Sequence, residues 1–96
     1  MRVSVIVPTY NGCHKLERLL PSLESQTFKN FETIVVVDGS TDGTRAALLE
    51  WSSKLDDLKV FEQKNRGRAG ARNTGAKKAN GDLLVFFDDD LILEPG

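Results

Sequence analysis

The sequence predicts an α/β fold: a Rossmann-like, mostly parallel sheet in the order β-α-β-α-β-α-β, with helices on both faces. Short apolar runs rich in β-branched residues recur along the chain, and segments with helical periodicity separate them. The apolar runs are continuous rather than alternating, which is typical of strands covered on both sides. At 96 residues the chain is long enough for one such domain, so we treat residues 1–96 as a single domain.

The first strand and helix are predicted at the start of the chain. Residues 3–7 are mostly β-branched and predict a buried strand that ends at Pro8. Leucines then recur at spacings of three and four residues, which predicts one apolar helical face. Pro21 lies inside this pattern and lacks the N–H that would bond to the Glu17 carbonyl, so we expect a kink or a restart there.

The second strand and helix follow the same logic. Residues 31–37 become continuously apolar toward their end and predict a strand. The loop of residues 38–43 is rich in the residue types that cap helix N-termini. We expect a second amphipathic helix after it, with an apolar face made of Leu48, Trp51, Leu55 and Leu58.

The remaining elements complete the alternation. Residues 58–61 predict a short strand, and residues 67–79 predict a third helix. Small side chains form the inner stripe of this helix and let it lie close to a sheet: Ala71, Gly75 and Ala79. Residues 83–87 predict a fourth strand that runs directly into three aspartates.

Composition excludes several classes of protein. The formal net charge is −1 and the hydrophobic fraction is 40%, so neither a strongly basic nucleic-acid-binding surface nor a disordered chain is expected. Every apolar run is far shorter than the ~18 residues that a transmembrane helix needs. A single cysteine, Cys13, cannot form an intramolecular disulfide, which favours a cytoplasmic location.

Polar clusters follow three of the predicted strands. Right-handed crossovers place the carboxyl ends of parallel strands at one edge of a sheet, and ligands bind there, where the strand order reverses. The clusters are residues 9–11, Asp38 with Gly39, and residues 88–90. We therefore expect them to line one crevice.

The acidic run is suited to a divalent cation. Three adjacent carboxylates repel one another, and a cation relieves the repulsion. Mg²⁺ and Mn²⁺ prefer carboxylate, water and phosphate oxygens. In an extended chain Asp88 and Asp90 point one way and Asp89 the other. A solvated junction between strand and loop is the alternative, but the position directly after an apolar strand favours metal ligation.

Other residues near strand ends have chemistry that suits a nucleotide. Asp38 can accept hydrogen bonds from ribose or a base, with helix capping as the alternative. Tyr10 can stack on a planar base, although a surface tyrosine in a loop is the simpler interpretation. Arg72 suits phosphate, whereas Arg66 and Arg68 stay without an assigned role.

Four segments occur in a recognisable order. They are VSVIVPTYN at 3–11, VVVDGSTDGT at 35–44, an N-x-G…A-R-N-x-G segment at 65–75, and LLVFFDDD at 83–90. Each is weak alone, because short glycine and aspartate strings recur by chance. In this order and spacing they resemble the amino-terminal, donor-binding half of the family 2 glycosyltransferases, which have the GT-A nucleotide-sugar-binding fold. The resemblance covers essentially the whole chain.

The resemblance implies a donor site and a metal site. Thr9, Tyr10 and Asp38, with Gly39, would hold the base and ribose of a nucleotide-sugar, expected to be a UDP-sugar. Arg72 would lie near its phosphates.

The acidic run would form the DxD motif of that family. Asp88 and Asp90 would bind Mn²⁺ or Mg²⁺, with Asp90 as the expected direct ligand. Asp89 would contact the ribose or the sugar.

The resemblance also implies a reaction, namely inverting transfer of a sugar by direct displacement with a carboxylate general base. In the family that base lies well downstream of DxD, so we expect it beyond residue 96 and identify no catalytic residue here. The chain alone is then expected to be catalytically incomplete and to expose apolar surface that favours self-association. A non-catalytic nucleotide-binding or interaction module on the same fold is the alternative.

Two expectations concern partners. No nucleic acid is expected to bind, because no aromatic residue interleaves the basic segment of residues 64–78. Family members that act on lipid-linked acceptors often approach a membrane, so the resemblance leaves a membrane-peripheral position as the alternative to a purely cytoplasmic one.

Overall fold

A computed structural model describes residues 2–26, 29–40, 42–64 and 66–89. Strands and helices alternate along these ranges, as the sequence predicts. The strands are β1 (Val3–Thr9), β2 (Phe31–Asp38), β3 (Leu58–Gln63) and β4 (Leu83–Phe86). The helices are α1 (Cys13–Glu24), α2 (Thr44–Trp51) and α3 (Gly67–Lys78).

The strands form one sheet in the order β3-β2-β1-β4, and all three neighbouring pairs are parallel. The chain therefore steps outward from β1 to β2 and β3, and then returns to the opposite side of β1 to add β4. The strand order reverses beside β1. In sheets of this kind the crevice at that position is the usual ligand site.

Side chains alternate between the two faces of the sheet. Val5, Val7 and Val35 lie in the larger core, with leucines of α1 and with Leu48 of α2. The intervening residues Ile6, Ile34 and Val36 form a smaller core under α3. Helices therefore cover both faces, which explains why β1 and most of β2 are continuously apolar in sequence.

Helix α3 lies close to the sheet because its inner face is small. A Cβ added at Gly75 would lie 2.4 Å from Cγ2 of Ile6, so a larger side chain fits only if Ile6 shifts. Ala71 is fully buried on the same stripe, and Ala79 is partly buried against this core. This confirms the small-residue stripe that the sequence predicts.

The second helix is shorter than its apolar pattern indicates. It ends at Trp51, and Leu55 is buried in the turns that follow. Leu58 begins β3, so the prediction that it lies on the apolar face of the second helix was wrong. The pattern matched because Leu55, buried in the turns, and Leu58, partly buried at the start of β3, pack in the same core as α2.

Pro8 and Pro21 each lie within a regular element. β1 continues through Pro8 to Thr9, while its ladder with β4 ends earlier, at Ile6 and Phe86. The missing N–H of Pro8 therefore leaves no β4 carbonyl without a donor. Pro21 lies inside α1, which runs uninterrupted to Glu24, so the helix does not restart there.

A buried carboxylate joins the elements at the amino-terminal edge of the sheet. Glu32 is fully buried and accepts hydrogen bonds from Ser4 Oγ, Lys59 Nζ and the Asn80 backbone N–H. Burial alone would raise the pKa of Glu32, but these hydrogen bonds and the charge of Lys59 outweigh it and lower the pKa to about 2. The turn before β4 is thereby fixed to β1 and β2.

Candidate functional site: a cleft at the carboxyl edge of the sheet

The carboxyl ends of β1 and β2, the segment after β4, and the first turns of α1 and α3 enclose a cleft of about 280 Å³. Residues from all three polar clusters, or next to them, line it together with residues of the two helices: Pro8, Thr9, Tyr10, Lys15, Asp38, Gly67, Arg68, Ala71 and Asp89. The predicted convergence on one crevice is therefore observed for Thr9, Tyr10, Asp38 and Asp89. Its volume is near the lower limit of typical small-molecule sites.

Asp38 closes one wall of the cleft by capping α3. Its Oδ1 accepts hydrogen bonds from the backbone N–H of Arg66 at 2.8 Å and from Gln63 Nε2 at 3.0 Å. Its Oδ2 accepts from the Gly67 N–H at 2.9 Å, and Gly67 has a φ of +80°, which favours glycine. A carboxylate from the end of β2 thus satisfies the first donors of the third helix.

Asp42, in the same loop, caps α2 instead. It accepts hydrogen bonds from the backbone N–H and the hydroxyl of Thr44, and from the N–H of Cys13. Burial alone would raise the pKa of Asp42, but these hydrogen bonds outweigh it and lower the pKa.

Burial, with the nearby carboxylates Glu17 and Asp42, raises the pKa of the Cys13 thiol. Cys13 is accordingly poorly disposed to form a thiolate.

Asp89 closes the opposite wall. It is 5% exposed, and its Oδ2 accepts a hydrogen bond from Thr9 Oγ1 at 2.8 Å. Its Oδ1 lies 3.8 Å from Lys15 Nζ in the first turn of α1. A carboxylate in this position is stabilised by a hydroxyl, an ammonium group and the nearby N-terminus of α1.

Two cations lie on the cleft. Lys15 is half exposed, and Arg68, in the first turn of α3, is mostly exposed. Arg68 Nη1 is 2.7 Å from Oδ1 of Asp88, whose side chain is 66% exposed. This ion pair is accessible to solvent and can rearrange when an anion enters.

Tyr10 supplies an exposed aromatic ring at the mouth of the cleft, where it is 54% exposed. The loop that carries it is tied to the loop after β2. The Asn11 N–H donates to Ser40 Oγ at 2.8 Å, and Asn11 has a φ of +49°. The ring is therefore held on a fixed turn, although most of its surface is open.

Two predicted donor-site residues lie elsewhere. Gly39 lines a separate cavity of about 360 Å³ between the ends of β2 and β3, with Ser40 and Lys64 among its neighbours. Arg72 lies on α3 with its guanidinium 4.8 Å from the centre of the Phe86 ring, and it does not line the cleft. Arg68, one turn earlier in α3, is the arginine that does.

The predicted metal ligands are described in part. Asp88 lies beside the cleft, whereas Asp90 falls outside the described residues. Within the described ranges no group of three histidine, cysteine or carboxylate side chains could hold a metal ion. Mg²⁺ and Mn²⁺ sites of nucleotide enzymes need only one or two carboxylates, with phosphates and water completing the shell, so an exposed carboxylate at Asp88 fits such an ion.

Sequence reasoning missed Lys15 and left Arg68 unassigned. Both occupy the first turn of a helix whose N-terminus lies at the carboxyl edge of the sheet. A position in the first turn is the sequence signal that could have identified both residues, because every helix that follows a parallel strand begins at the ligand-binding edge.

The sequence profile named Glycosyl transferase family 2 matches residues 4–96. This chain belongs to that family. Glycosyltransferase GlyA from Streptococcus pneumoniae is 40% identical over 93 residues, which are 97% of this chain and 13% of that protein. The expected family membership is confirmed.

Solved structures of glycosyltransferases share the fold. TarS from S. aureus superposes with a TM-score of 0.87 at 41% identity, covering 94% of this chain and 28% of that one, and it has been solved with UDP and with UDP-GlcNAc. The mannosyltransferase PcManGT from Pyrobaculum calidifontis, in complex with GDP-Man and Mn²⁺, has a TM-score of 0.83 at 36% identity, covering 95% and 28%. The fold is therefore the GT-A, Rossmann-like fold.

The chain spans a small part of these relatives' length, 13% of GlyA and 28% of the TarS and PcManGT chains. The longest helices in the described ranges have 12 residues, and none of them combines the length and hydropathy needed to cross a membrane.

Proposed function

We propose that the cleft binds the nucleoside diphosphate of a sugar donor, and that the chain is the donor-binding part of an inverting glycosyltransferase. The observation that carries this proposal is the composition of the cleft. An exposed aromatic ring, two cationic side chains and Asp89 converge where the strand order reverses, and Asp88 lies beside them in an ion pair with Arg68. A base, a diphosphate and a bound cation are the chemical counterparts of those three features.

The ring of Tyr10 is the proposed platform for the base. It is the described aromatic residue that lines the cleft, and its face is open to solvent. Thr9 and Asp38 border the same space and are proposed to lie against the base and ribose. Asp38 already accepts three hydrogen bonds from this chain, so it has capacity for one more.

The diphosphate is proposed to lie between Lys15 and Arg68. An arginine offers phosphate a bidentate contact, and a lysine offers a mobile positive charge. Arg68 replaces Arg72 as our proposed phosphate contact, since Arg72 is stacked on Phe86. On binding, Arg68 would exchange Asp88 for the phosphate oxygens.

Release of Asp88 from that ion pair leaves its carboxylate for a divalent cation. Asp88, together with Asp90, is proposed to hold Mn²⁺ or Mg²⁺, and a neighbouring structure contains Mn²⁺ with GDP-Man. When bound, such an ion neutralises charge on the diphosphate as it becomes the leaving group. Arg68 and Lys15 add to that neutralisation from the protein side.

A UDP-sugar is the proposed donor. Structures of the relative TarS contain UDP and UDP-GlcNAc, whereas PcManGT contains GDP-Man, so both bases occur among neighbours of this fold. A pyrimidine is the smaller of the two, and the cleft is small.

The described carboxylates at the cleft are all engaged within the chain. Asp38 caps α3, Asp89 bonds to Thr9, and Asp88 pairs with Arg68. We therefore propose that the base that activates the acceptor is none of these. The same observation favours a second candidate, a nucleotide-binding module that transfers no sugar.

Calorimetric titration with UDP, with and without Mn²⁺, tests the proposal. Wild type should bind more tightly with Mn²⁺, and Asp88→Asn and Asp90→Ala should remove most of that gain. Glu62→Gln is the matched control, because it neutralises an exposed carboxylate paired with Arg45 away from the cleft. Failure of wild type to bind UDP, GDP and dTDP would overturn the proposal. Hydrolysis or transfer assays with UDP-sugars distinguish a glycosyltransferase part from a nucleotide-binding module that transfers no sugar.

A further inference from the structure

Adjacent aspartates of the acidic run have opposite environments. The side chain of Asp88 is 66% exposed, while Asp89 is only 5% exposed. Asp89 lines the cleft, but its oxygens already contact Thr9 and Lys15, whereas Asp88 offers a largely exposed carboxylate. Direct contact between Asp89 and ribose or sugar, as the family resemblance implies, would compete with those contacts.

The environment of Asp89 is built by residues at the end of β1 and the start of α1. Thr9 donates its hydroxyl hydrogen to Oδ2, and Lys15 places its ammonium group near Oδ1. Gly12 completes the arrangement, because a Cβ there would lie 2.1 Å from Thr9 Oγ1 and 2.5 Å from Asp89 Oδ2. The absence of a side chain at Gly12 is what admits both oxygens.

The Thr9–Asp89 hydrogen bond lies beyond the last backbone pairing between β1 and β4. Pairing between β1 and β4 ends at Ile6 and Phe86, followed by one bond from the Phe87 N–H to the Ile6 carbonyl at 2.9 Å. Asp88 and Asp89 then lie beyond this pairing. The Thr9–Asp89 bond attaches their segment to the last residue of β1.

We propose that Asp89 is a positioning residue, which fixes the acidic run to the end of β1 so that Asp88 faces the donor before any ligand binds. The proposal rests on the proposed function, since the site it prepares is the metal and diphosphate site. A buried carboxylate held by a hydroxyl and an ammonium group fixes the backbone on which its exposed neighbour is mounted. The cost of ordering this loop is then met during folding rather than during binding.

Three variants of one bond test this assignment. Thr9→Val removes the hydroxyl at constant shape, Thr9→Ser keeps it, and Asp89→Asn weakens the acceptor. The matched control is Ser4→Ala, which removes the corresponding hydroxyl–carboxylate bond to Glu32 at the opposite end of β1. The readout is the factor by which Mn²⁺ strengthens UDP binding, because a general loss of stability does not change that ratio.

We expect Thr9→Val and Asp89→Asn each to reduce this factor about tenfold. The double variant should lose little more than either single variant, because both break the same bond. Thr9→Ser and Ser4→Ala should retain the wild-type factor. An unchanged factor in Thr9→Val with a large loss in Asp89→Asn would overturn the proposal and assign Asp89 a direct contact; an equal loss in Ser4→Ala would also overturn it.

Hydrogen exchange without nucleotide separates this proposal from the proposed function. Backbone amides of residues 87–89 should exchange faster in Thr9→Val than in wild type or Ser4→Ala. Unchanged exchange there would refute positioning even if UDP binds. Absence of UDP binding by wild type would refute the proposed function, while the exchange result would still decide whether Thr9 holds the acidic run.

Discussion

The hydroxyl of Thr9 donates a hydrogen bond to Oδ2 of Asp89 across 2.8 Å, although 80 positions separate the two residues in the chain. The bond joins the end of β1 to the residue run after β4, and these are the two strands between which the sheet order reverses. The candidate site therefore includes a contact between the end of the first strand and the segment that follows the last strand of the described fold.

Arg68 and Lys77 offer a comparison within one helix. Arg68→Met should weaken UDP binding in the presence of Mn²⁺ by about tenfold or more, because a charge-assisted hydrogen bond to phosphate is lost. Lys77→Met removes a positive charge from the last turn of α3, far from the cleft, and should leave the affinity unchanged. Equal losses in both variants would indicate a general electrostatic effect. Isothermal calorimetry at one salt concentration measures both.

Tyr10 should act through its ring rather than its hydroxyl. We expect Tyr10→Ala to weaken UDP binding by about tenfold, because stacking of a base on an aromatic ring contributes about 1–3 kcal/mol. Tyr10→Phe keeps the ring and should bind as wild type does. Neither variant should lower the melting temperature, since the side chain is mostly exposed. A loss in Tyr10→Phe would instead assign a hydrogen bond to the phenol.

Glu32 should make folding stability sensitive to acid. Its pKa is lowered from 4.5 to about 2, so its contribution is present above pH 4.5 and is lost as the pH falls toward 2. That shift corresponds to roughly 3 kcal/mol of unfolding free energy. Urea denaturation at pH 7, 4 and 3 should show this loss in wild type and a smaller pH dependence in Glu32→Gln. Glu62→Gln should retain the wild-type dependence.

Gly75 should tolerate no side chain. Gly75→Ala places a Cβ against Ile6 and should lower the free energy of unfolding by about 1–3 kcal/mol, despite the better helix propensity of alanine. Lys77→Ala, on the exposed side of the same helix, serves as the control and should have little effect. Chemical denaturation compares the two. A stabilised Gly75→Ala variant would contradict the close packing of α3 on β1.

The β4 edge should promote self-association. Leu83, Leu84 and Phe86 are all exposed on this edge strand, which carries no charge or proline of its own to block pairing. Leu84→Lys should therefore reduce concentration-dependent association in sedimentation equilibrium. Leu49→Lys replaces an exposed leucine on α2 and should not. A monomeric wild type at high concentration would count against this prediction.

Much of the fold follows from short-range patterns. Apolar runs identify all four strands. β1 and β2 are buried on both faces and are continuously apolar over most of their length for that reason, whereas β3 is only partly buried and β4 is largely exposed. The end of α2 was misplaced because Leu55 and Leu58 continue its spacing while belonging to a turn and to β3. Helix periodicity alone cannot detect that change of element.

The site was predictable at strand ends and less so on helices. Thr9, Tyr10, Asp38 and Asp89 reach the cleft because parallel strands end at one edge. Arg68 rather than Arg72 lines the cleft because Arg68 lies in the first turn of α3, whereas Arg72, one turn later, stacks on Phe86 of β4. That Asp38 caps α3 and Asp42 caps α2 also depends on contacts distant in sequence.

The central claim is that a nucleoside diphosphate binds at the carboxyl edge of this sheet. Its most direct test is a titration of the ¹⁵N-labelled chain with UDP and Mg²⁺, followed by amide chemical shifts. We predict that shifts concentrate at Tyr10, Gly67, Arg68 and Asp89, while Ser4 and Gly81 at the opposite edge stay unchanged. Saturable binding with its shifts at Ser4, Gly81 or the β4 edge, or no binding at all, would contradict the account.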